Sequence, residues 1–387
     1  MPLTIDTVMA QAEARAGLTD WGTDQAFRIG LGVLIDSAAT DGLSPTVLAS
    51  LETQIVDLLV IRLRFIDDER RHPEITAQPV TCPLILTGLP RSGTTILHDL
   101  CALDPACRAP LEWEASNPWP APEAATYATD PRIAQTQARL DALLDAVPVL
   151  KTMHPWGATL PADCLSFMAL SFVTTRFVAG FWVPTYARWL TTARPDGVYR
   201  MHKRALQQLQ WRGPQGRWVL KEPQHLLDLE QLLTVYPDAC IVQTHRDPAR
   251  TLASNASLVW TIQSMLKPDL DKRDNGRQTM ELFGGHLQRG TTARRDPAVD
   301  ARVLDIAYAD TVHDPVGTVR RIHDHFGFDF SAEHARRIED HMTHNPQGKH
   351  GAHRYDAADF GMDEATLKAV VPEYRARFGD LLAEPAR

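Results

Sequence analysis

Two short segments of the chain place glycine, hydroxyl and arginine residues in the order that anion binding needs. The first is Gly88-Leu-Pro-Arg91-Ser92-Gly93-Thr94-Thr95. Its spacing, G-x-x-x-x-G-x-[ST], is that of a nucleotide phosphate loop, in which backbone N–H groups and the N-terminus of the following helix attract phosphate oxygens. One position departs from the hydrolases of nucleoside triphosphates: Thr94 stands where they carry the lysine that neutralises the β- and γ-phosphates. Arg91 supplies positive charge from inside the loop instead. The pattern therefore predicts an anionic nucleotide ligand and argues against ATP or GTP hydrolysis. The second segment is His245-Arg246-Asp247-Pro248-Ala-Arg250-Thr251-Leu-Ala-Ser254. A helix starting at Pro248 puts Arg246 just before its N-terminus and Ser254 about two turns in. Arginine offers a planar fork to phosphate, and serine a further donor. Alone, such an arginine is more often one paired with a carboxylate at a helix start. Its weight comes from being a second anion-type site after a second strand.

The elements that must position these groups are legible as alternating patterns. Four short apolar runs read as buried parallel strands: Pro83–Thr87, Arg217–Lys221, Ala239–Thr244 and Val303–Ala307. Helical stretches separate them. The expected fold class is therefore α/β, a parallel sheet with helices on both faces. Ligands of such sheets sit at the carboxyl ends of the strands, and each motif lies just after one of these runs. Residues 1–78 read as a helical region packing on a main domain of residues 79–387. Within that region Ser44-Pro45 is a helix start, Leu48, Leu51, Ile55, Leu58 and Leu59 recur at helical spacing, and His72-Pro73 ends the helix.

Bulk properties narrow the function classes. A formal charge of -8 argues against nucleic acid as a partner, which needs a clustered positive surface. Five cysteines without a CxxC pair suit a reducing compartment, and the N-terminus has no secretory pattern, so a cytoplasmic protein is expected. The run Cys164–Val183 is nearly long enough to span a bilayer, but Thr174, Thr175 and Arg176 at its middle make it a buried helix instead. His341-x-x-His344 and His350-x-x-His353 invite a metal, yet neither pair brings a third ligand at fixed spacing, and Asn345-Pro346 breaks the local helix. No metal is expected.

Taken together, these segments resemble the sulfotransferases that use 3′-phosphoadenosine-5′-phosphosulfate, most closely their broad bacterial branch. LILTGLPRSGTTILHDLCALDP resembles the family's 5′-phosphosulfate loop, with Arg91 where many cytosolic members carry lysine. RWVLKEPQHLLDLEQLLTVYPDACIVQTHRDPARTLAS resembles the strand bearing an active-site lysine, here Lys221, followed by the 3′-phosphate site. There an arginine and a serine stand eight positions apart, as Arg246 and Ser254 do. DIAYADTVHDP resembles the segment whose tyrosine lies near the adenine, here Tyr308. QGKHGAHRY resembles the late basic loop that closes on the 3′-phosphate, here Lys349, His350 and Gly351. The resemblance runs from about residue 80 to the C-terminus and implies a sheet of the phosphate-loop NTPase type with one nucleotide pocket. It implies a donor held by Arg91, Ser92, Gly93, Thr94 and Thr95 at one end, and by Arg246, Ser254 and the late loop at the other. The product would be adenosine 3′,5′-bisphosphate.

In-line sulfuryl transfer needs charge stabilised on the moving group and leaving oxygen, plus a base for the acceptor proton; a sulfuryl group carries less charge than a phosphoryl group and requires no Mg²⁺ in principle. Arg91 and Lys221 are the candidates for stabilisation. Many cytosolic members have Lys-x-His at this strand, whereas this chain reads Lys221-Glu222-Pro223-Gln224-His225, so the histidine's role does not carry over. Protein-tyrosine and some bacterial members use a glutamate shortly after the loop's helix. On that analogy Glu114 of the Trp113-Glu114 pair is the first candidate base, then Glu112, His225 and His154. Lys221 paired with Glu222 is the bland alternative. The acceptor is read as a small or lipid-like molecule with a hydroxyl. Met168, Phe172, Phe177, Phe181, Trp182 and Trp189 either line its pocket or pack the core, and the N-terminal helices either cap it or form a homodimer contact. Two rival readings remain: a phosphate-loop kinase or NTPase with Asp247 or Asp310 holding a metal, and a non-catalytic nucleotide-binding protein on the same fold.

Overall fold

The computed structural model describes residues 3–194, 196–346 and 355–383. Five strands form one sheet: β1 Leu84–Gly88, β2 Cys107–Arg108, β3 Arg217–Lys221, β4 Cys240–His245 and β5 Val303–Ala307, in the order β2-β3-β1-β4-β5. All four pairings are parallel, with Leu84 beside both Val219 and Cys240, and Gly88 beside Thr244. The four predicted runs are strands to within a residue.

The alternation of side chains along these strands divides the apolar core into two layers. Leu84, Leu86, Val219, Val242 and Ile306 face one way and pack with Val319, Ile322 and Ile338 of the late helices. Ile85, Leu220, Ile241 and Val303 face the other way, into a larger core. A strand apolar on both faces needs helices on both, and the sheet has them.

Three helices precede the sheet: α1 Ile5–Ala16, α2 Phe27–Thr40 and α3 Pro45–Arg71. Ser44 caps α3 by accepting from Val47 N–H, and the chain leaves the helix at His72. Leu31, Leu51, Ile55 and Leu59 join the same larger core as the sheet. Arg62, buried in α3, donates to the carbonyl of Leu170 (2.7 Å).

The segment Cys164–Val183 is not the single buried helix that its composition suggests. It forms two short helices, Leu165–Ala169 and Thr175–Gly180. Between them Phe172 takes a left-handed φ of 54°, which an α-helix cannot contain. Tertiary contacts impose the break. The Phe172 carbonyl accepts from the Tyr186 hydroxyl (2.9 Å), and Gly30 of α2 packs so closely that a Cβ there would lie 2.2 Å from the same oxygen. Thr174 then caps the second helix. No described helix is long and apolar enough to cross a membrane.

Candidate active site

The loop between β1 and the helix α4, Thr94–Ala102, is shaped by three residues with positive φ: Gly88 (142°), Arg91 (71°) and Gly93 (91°). Left-handed residues in such a turn direct successive N–H groups to one side, the concavity that accepts an anion. Glycine is needed at both glycine positions for space as well. A Cβ on Gly88 would fall 2.4 Å from Thr244 Oγ1, and one on Gly93 would fall 2.6 Å from the ring of Tyr308. Ser92 Oγ donates to Leu89 O or shares a proton with Thr244 Oγ1, both at 2.6 Å, which ties the loop to the end of β4.

The two predicted anion sites are contiguous. Arg91 Nε donates to Ser254 Oγ (3.2 Å) and its Nη1 to Met153 O, while Arg246 Nη1 donates to Arg91 O (3.2 Å). The Arg246 guanidinium lies over the ring of Tyr308, 4.1 Å from its centroid. Burial, the largest cause, and the nearby Arg246 charge both push the Arg91 pKa below its usual value. Two guanidinium groups held this closely favour a bound anion. Ser254 sits in the helix Pro248–Gln263, which starts where the sequence places it.

A cavity of about 940 Å³ opens on this edge of the sheet. Arg91, Gly93, Thr94, Thr95, Arg246 and Tyr308 line it, as do Lys221 and His154. The Lys221 ammonium pairs with Asp163 and reaches Thr95 Oγ1 at 3.4 Å. Lys221 therefore pairs with Asp163 rather than with Glu222, whose carboxylate accepts instead from Leu165 N–H (3.1 Å) and Gln224 N–H (3.2 Å). Burial opposes the Asp163 charge, but Lys221 and His154 more than offset it and hold that carboxyl below the usual range. Burial, then the Asp163 charge, raises Glu222. Burial raises Asp99, one turn along α4 from Thr95, to about 7. Burial, then Lys221, lowers His154 to about 4. His154 Nδ1 faces the carbonyl of Pro155, so its proton belongs there and Nε2 carries the lone pair.

Three of the predicted bases lie elsewhere. Glu114 is wholly buried, bound by Arg108 Nη2 (2.6 Å), Leu111 N–H (3.0 Å) and the Tyr127 hydroxyl (2.7 Å). It holds the short helix Glu112–Ser116 in place and does not line the cavity. Glu112 pairs with Arg139 and Ser116 on the surface. His225 is buried against Tyr199, its Nδ1 3.1 Å from that hydroxyl. Of the four candidate bases, His154 alone lines the cavity. Asp99 and Asp163 also line the cavity and were not singled out from the sequence. Asp99 was readable, because it follows Thr95 by four positions on one helix face. Asp163 carries no motif, and only the fold brings it to Lys221.

Of the aromatic stretch, Met168, Phe172, Phe177 and Phe181 are buried in the larger core and Trp189 packs against it; neither they nor Trp182 line the cavity. Its apolar wall is built instead by Val178, Leu258, Val259, Ile262, Leu282 and Phe283. Asn255 and Gln278 stand in the same wall, and Asn255 Nδ2 and both Gln278 amide atoms are buried without a partner. Asp247 and Asp310, the acids of the kinase reading, are paired with Arg375 and Arg321 and do not line the cavity. Lys349, His350 and Gly351 lie outside the described residues; His341, Asn345 and Pro346, just before them, line the cavity.

Comparison with known proteins identifies the family of the chain. A family model described as "Sulfotransferase family" matches residues 83–332. The structure is similar to sulfotransferase STF9 from Mycobacterium avium, with a TM-score of 0.88 and 31% identity over 99% of this chain and 98% of that one. It is similar also to sulfotransferase STF1 from Mycobacterium tuberculosis H37Rv, with a TM-score of 0.83 and 31% identity over 95% of this chain and 98% of that one. Among curated proteins, the omega-hydroxy-beta-dihydromenaquinone-9 sulfotransferase Stf3 of Mycobacterium bovis is 24% identical over 253 residues, 63% of this chain. The chain spans 62% of that relative's length.

Proposed function

The chain belongs to the sulfotransferase family, and from that premise we propose that it moves a sulfuryl group from 3′-phosphoadenosine-5′-phosphosulfate to the hydroxyl of an apolar, lipid-like acceptor. The observation that carries this reading is one cavity whose wall holds two contiguous arginines, a lysine and an apolar surface. Its volume lies near the top of the ~300–1,000 Å³ range of small-molecule sites, enough for a nucleotide and part of an acceptor. The Stf3 relative, named for an ω-hydroxylated menaquinone derivative, supports an apolar alcohol as the acceptor class.

In this reading Arg91 and the N–H groups of Gly93 to Thr95 hold the phosphosulfate, and Arg246 and Ser254 the 3′-phosphate. Tyr308, pinned between Gly93 and Arg246, stacks on the adenine. The late loop with Lys349, His350 and Gly351 belongs to the same assignment. The acceptor oxygen attacks sulfur as the bond from sulfur to the leaving phosphate oxygen breaks. Lys221 and Arg91 stabilise the charge that moves to that oxygen. The acceptor proton passes to His154 Nε2, and Asp163 orients Lys221. Donor anions beside Lys221 and Arg91 offset the positive charges that weaken His154 as a base.

A two-stage experiment tests this. Adenosine 3′,5′-bisphosphate should raise the unfolding temperature without Mg²⁺, while ATP-Mg²⁺ should not. Label from ³⁵S-donor should then pass to long-chain alcohols better than to short ones. Stabilisation by ATP-Mg²⁺ alone would replace this reading with the kinase one. Tight binding of the bisphosphate with no transfer to alcohol, phenol or amine would leave a nucleotide-binding protein.

A further inference from the structure

A second cluster of chemically capable groups lies at the other end of α4. Asp104 follows that helix by two residues, and nine helical residues span about 13 Å, so it stands well away from the phosphate loop. Beside it are His323, from the helix Pro315–Phe326, and His334, from the helix Ala332–His344. All three are buried, and one ligand atom from each lies within 4.8 Å of the others. None lines the cavity.

What distinguishes this cluster from other buried histidines among the described residues is the convergence of three ligand atoms, and the rings are oriented to serve it. His323 Nδ1 meets the carbonyl of Asp329, and His334 Nε2 that of Leu100, each at 2.9 Å. A carbonyl only accepts, so the proton of each neutral ring sits on that nitrogen. The other nitrogens, His323 Nε2 and His334 Nδ1, are left as lone-pair donors. His334 Nδ1 is buried with no hydrogen-bond partner. No hydrogen bond or ion pair among the described residues joins Asp104 to either histidine. A buried acceptor with nothing to accept from is unfavourable, and a ligand that takes its lone pair removes that cost. Imidazoles fixed through their far nitrogen by a backbone carbonyl are the usual support of a metal ligand. Phe330 packs 5.3 Å from the His323 ring and 5.1 Å from the His334 ring, giving the cluster an apolar surround.

We propose that Asp104, His323 and His334 bind a divalent first-row transition metal, with zinc the ion that this set of two imidazoles and one carboxylate suits best. The fourth position falls to water or to Cys107, whose Sγ lies 3.5 Å from Asp104 Oδ2. Calcium and magnesium are disfavoured, since they take oxygen ligands throughout. The metal's role is structural. It clamps the end of the helix that carries the phosphate loop to two late helices, so its binding energy adds to folding.

The test uses the full chain stripped with a chelator and titrated with Zn²⁺, then with Co²⁺ as a spectroscopic stand-in. A single equivalent of Zn²⁺ should bind and raise the unfolding temperature, and Co²⁺ should give the intense visible absorption of a tetrahedral site. H334Q and D104N should each weaken binding at least ~10-fold, as loss of one ligand does. Stabilisation of each variant by adenosine 3′,5′-bisphosphate or, should that ligand not bind, its circular dichroism reports whether it folds. Absence of saturable binding to the wild type overturns the proposal. So does binding that survives in folded H334Q and D104N, which would place the ion elsewhere, for example at His341 and His344.

Discussion

The sheet carries two clusters of charge that look alike in composition and differ in completeness. One, around β4 and β5, joins His245, Asp305 and Arg294. There Arg294 binds both oxygens of Asp305 (2.6 and 2.8 Å), Asp300 (2.8 Å) and Gln243 (2.9 Å). His245 meets Asp305 through Nε2 (2.7 Å) and the Tyr374 hydroxyl through Nδ1 (2.8 Å). Phe378 closes it from above, 4.5 Å from the His245 ring. The other, around β3 and α4, joins Lys221, Asp163, Asp99, Glu222 and His154 on a cavity wall. Its one lysine faces three carboxyls, and the Asp99 carboxyl has no hydrogen bond or ion pair among the described residues. The contrast teaches that charge beside a strand end does not locate a site. Incomplete compensation next to open volume does, because a ligand can supply what is missing.

Replacing the central cation of each cluster should separate them most sharply. Lys221→Met should lower kcat about 10³-fold, since in the proposed mechanism it removes the charge that stabilises the leaving oxygen. Adenosine 3′,5′-bisphosphate should still stabilise the variant, which shows that the fold and the arginine sites persist. A kcat within tenfold of wild type would return Lys221 to the role of a mere partner for Asp163. Arg294→Met should act in the opposite way. It strands Asp305 and should cost about 3 kcal/mol of stability in a denaturant titration, with kcat per folded molecule unchanged.

Sequence alone reached the complete parts of the molecule more easily than the incomplete ones. The four strands were legible because apolar runs such as Leu84-Ile85-Leu86 are buried on both faces and bounded by turn residues. The phosphate loop was legible because Gly88 and Gly93 are demanded by local geometry, with backbone and Tyr308 crowding them. The wall opposite was not. Asp163 meets Lys221 only because Cys164 N–H bonds to Lys221 O across 57 residues of chain (2.9 Å). The surroundings of Glu114 were hidden for a related reason: a carboxylate after the loop's helix matches a pattern, but only the fold brings Arg108 and Tyr127 to it. The break at Phe172 was equally hidden, since Tyr186 and Gly30, both distant in sequence, impose it.

Within the incomplete cluster, His154 carries the next prediction. His154→Gln should lower kcat about 10²-fold, the low end of what a positioned base supplies. The histidine acts as base only when neutral, so wild-type kcat/KM should be level at neutral pH and fall as the pH drops through about 4, where burial and Lys221 hold its pKa. The variant should lose that dependence. An unchanged acid limb in His154→Gln would transfer the role of base to Asp163.

The smallest effect distinguishes the clusters by sign. Burial disfavours the Asp305 charge, yet Arg294 and His245 outweigh it and lower its pKa to about 2. Its stabilising contribution is thus complete above the unfolded value of about 3.9 and lost as the pH falls towards 2. Asp99 is the reverse, because burial raises it to about 7 with too little compensation from Lys221. The folded state then holds a proton that the unfolded chain releases, so Asp99 costs stability progressively as the pH rises from about 4 to 7. Asp99→Asn should therefore stabilise the protein at pH 8, by about 1 kcal/mol once the half-open position of the group is allowed for. The gain should shrink as the pH falls towards 4, and denaturant midpoints at pH 8, 6 and 4.5 would follow it. A loss of stability at pH 8 would mean that Asp99 has a cationic partner, and its cluster would then be as complete as the one at Arg294.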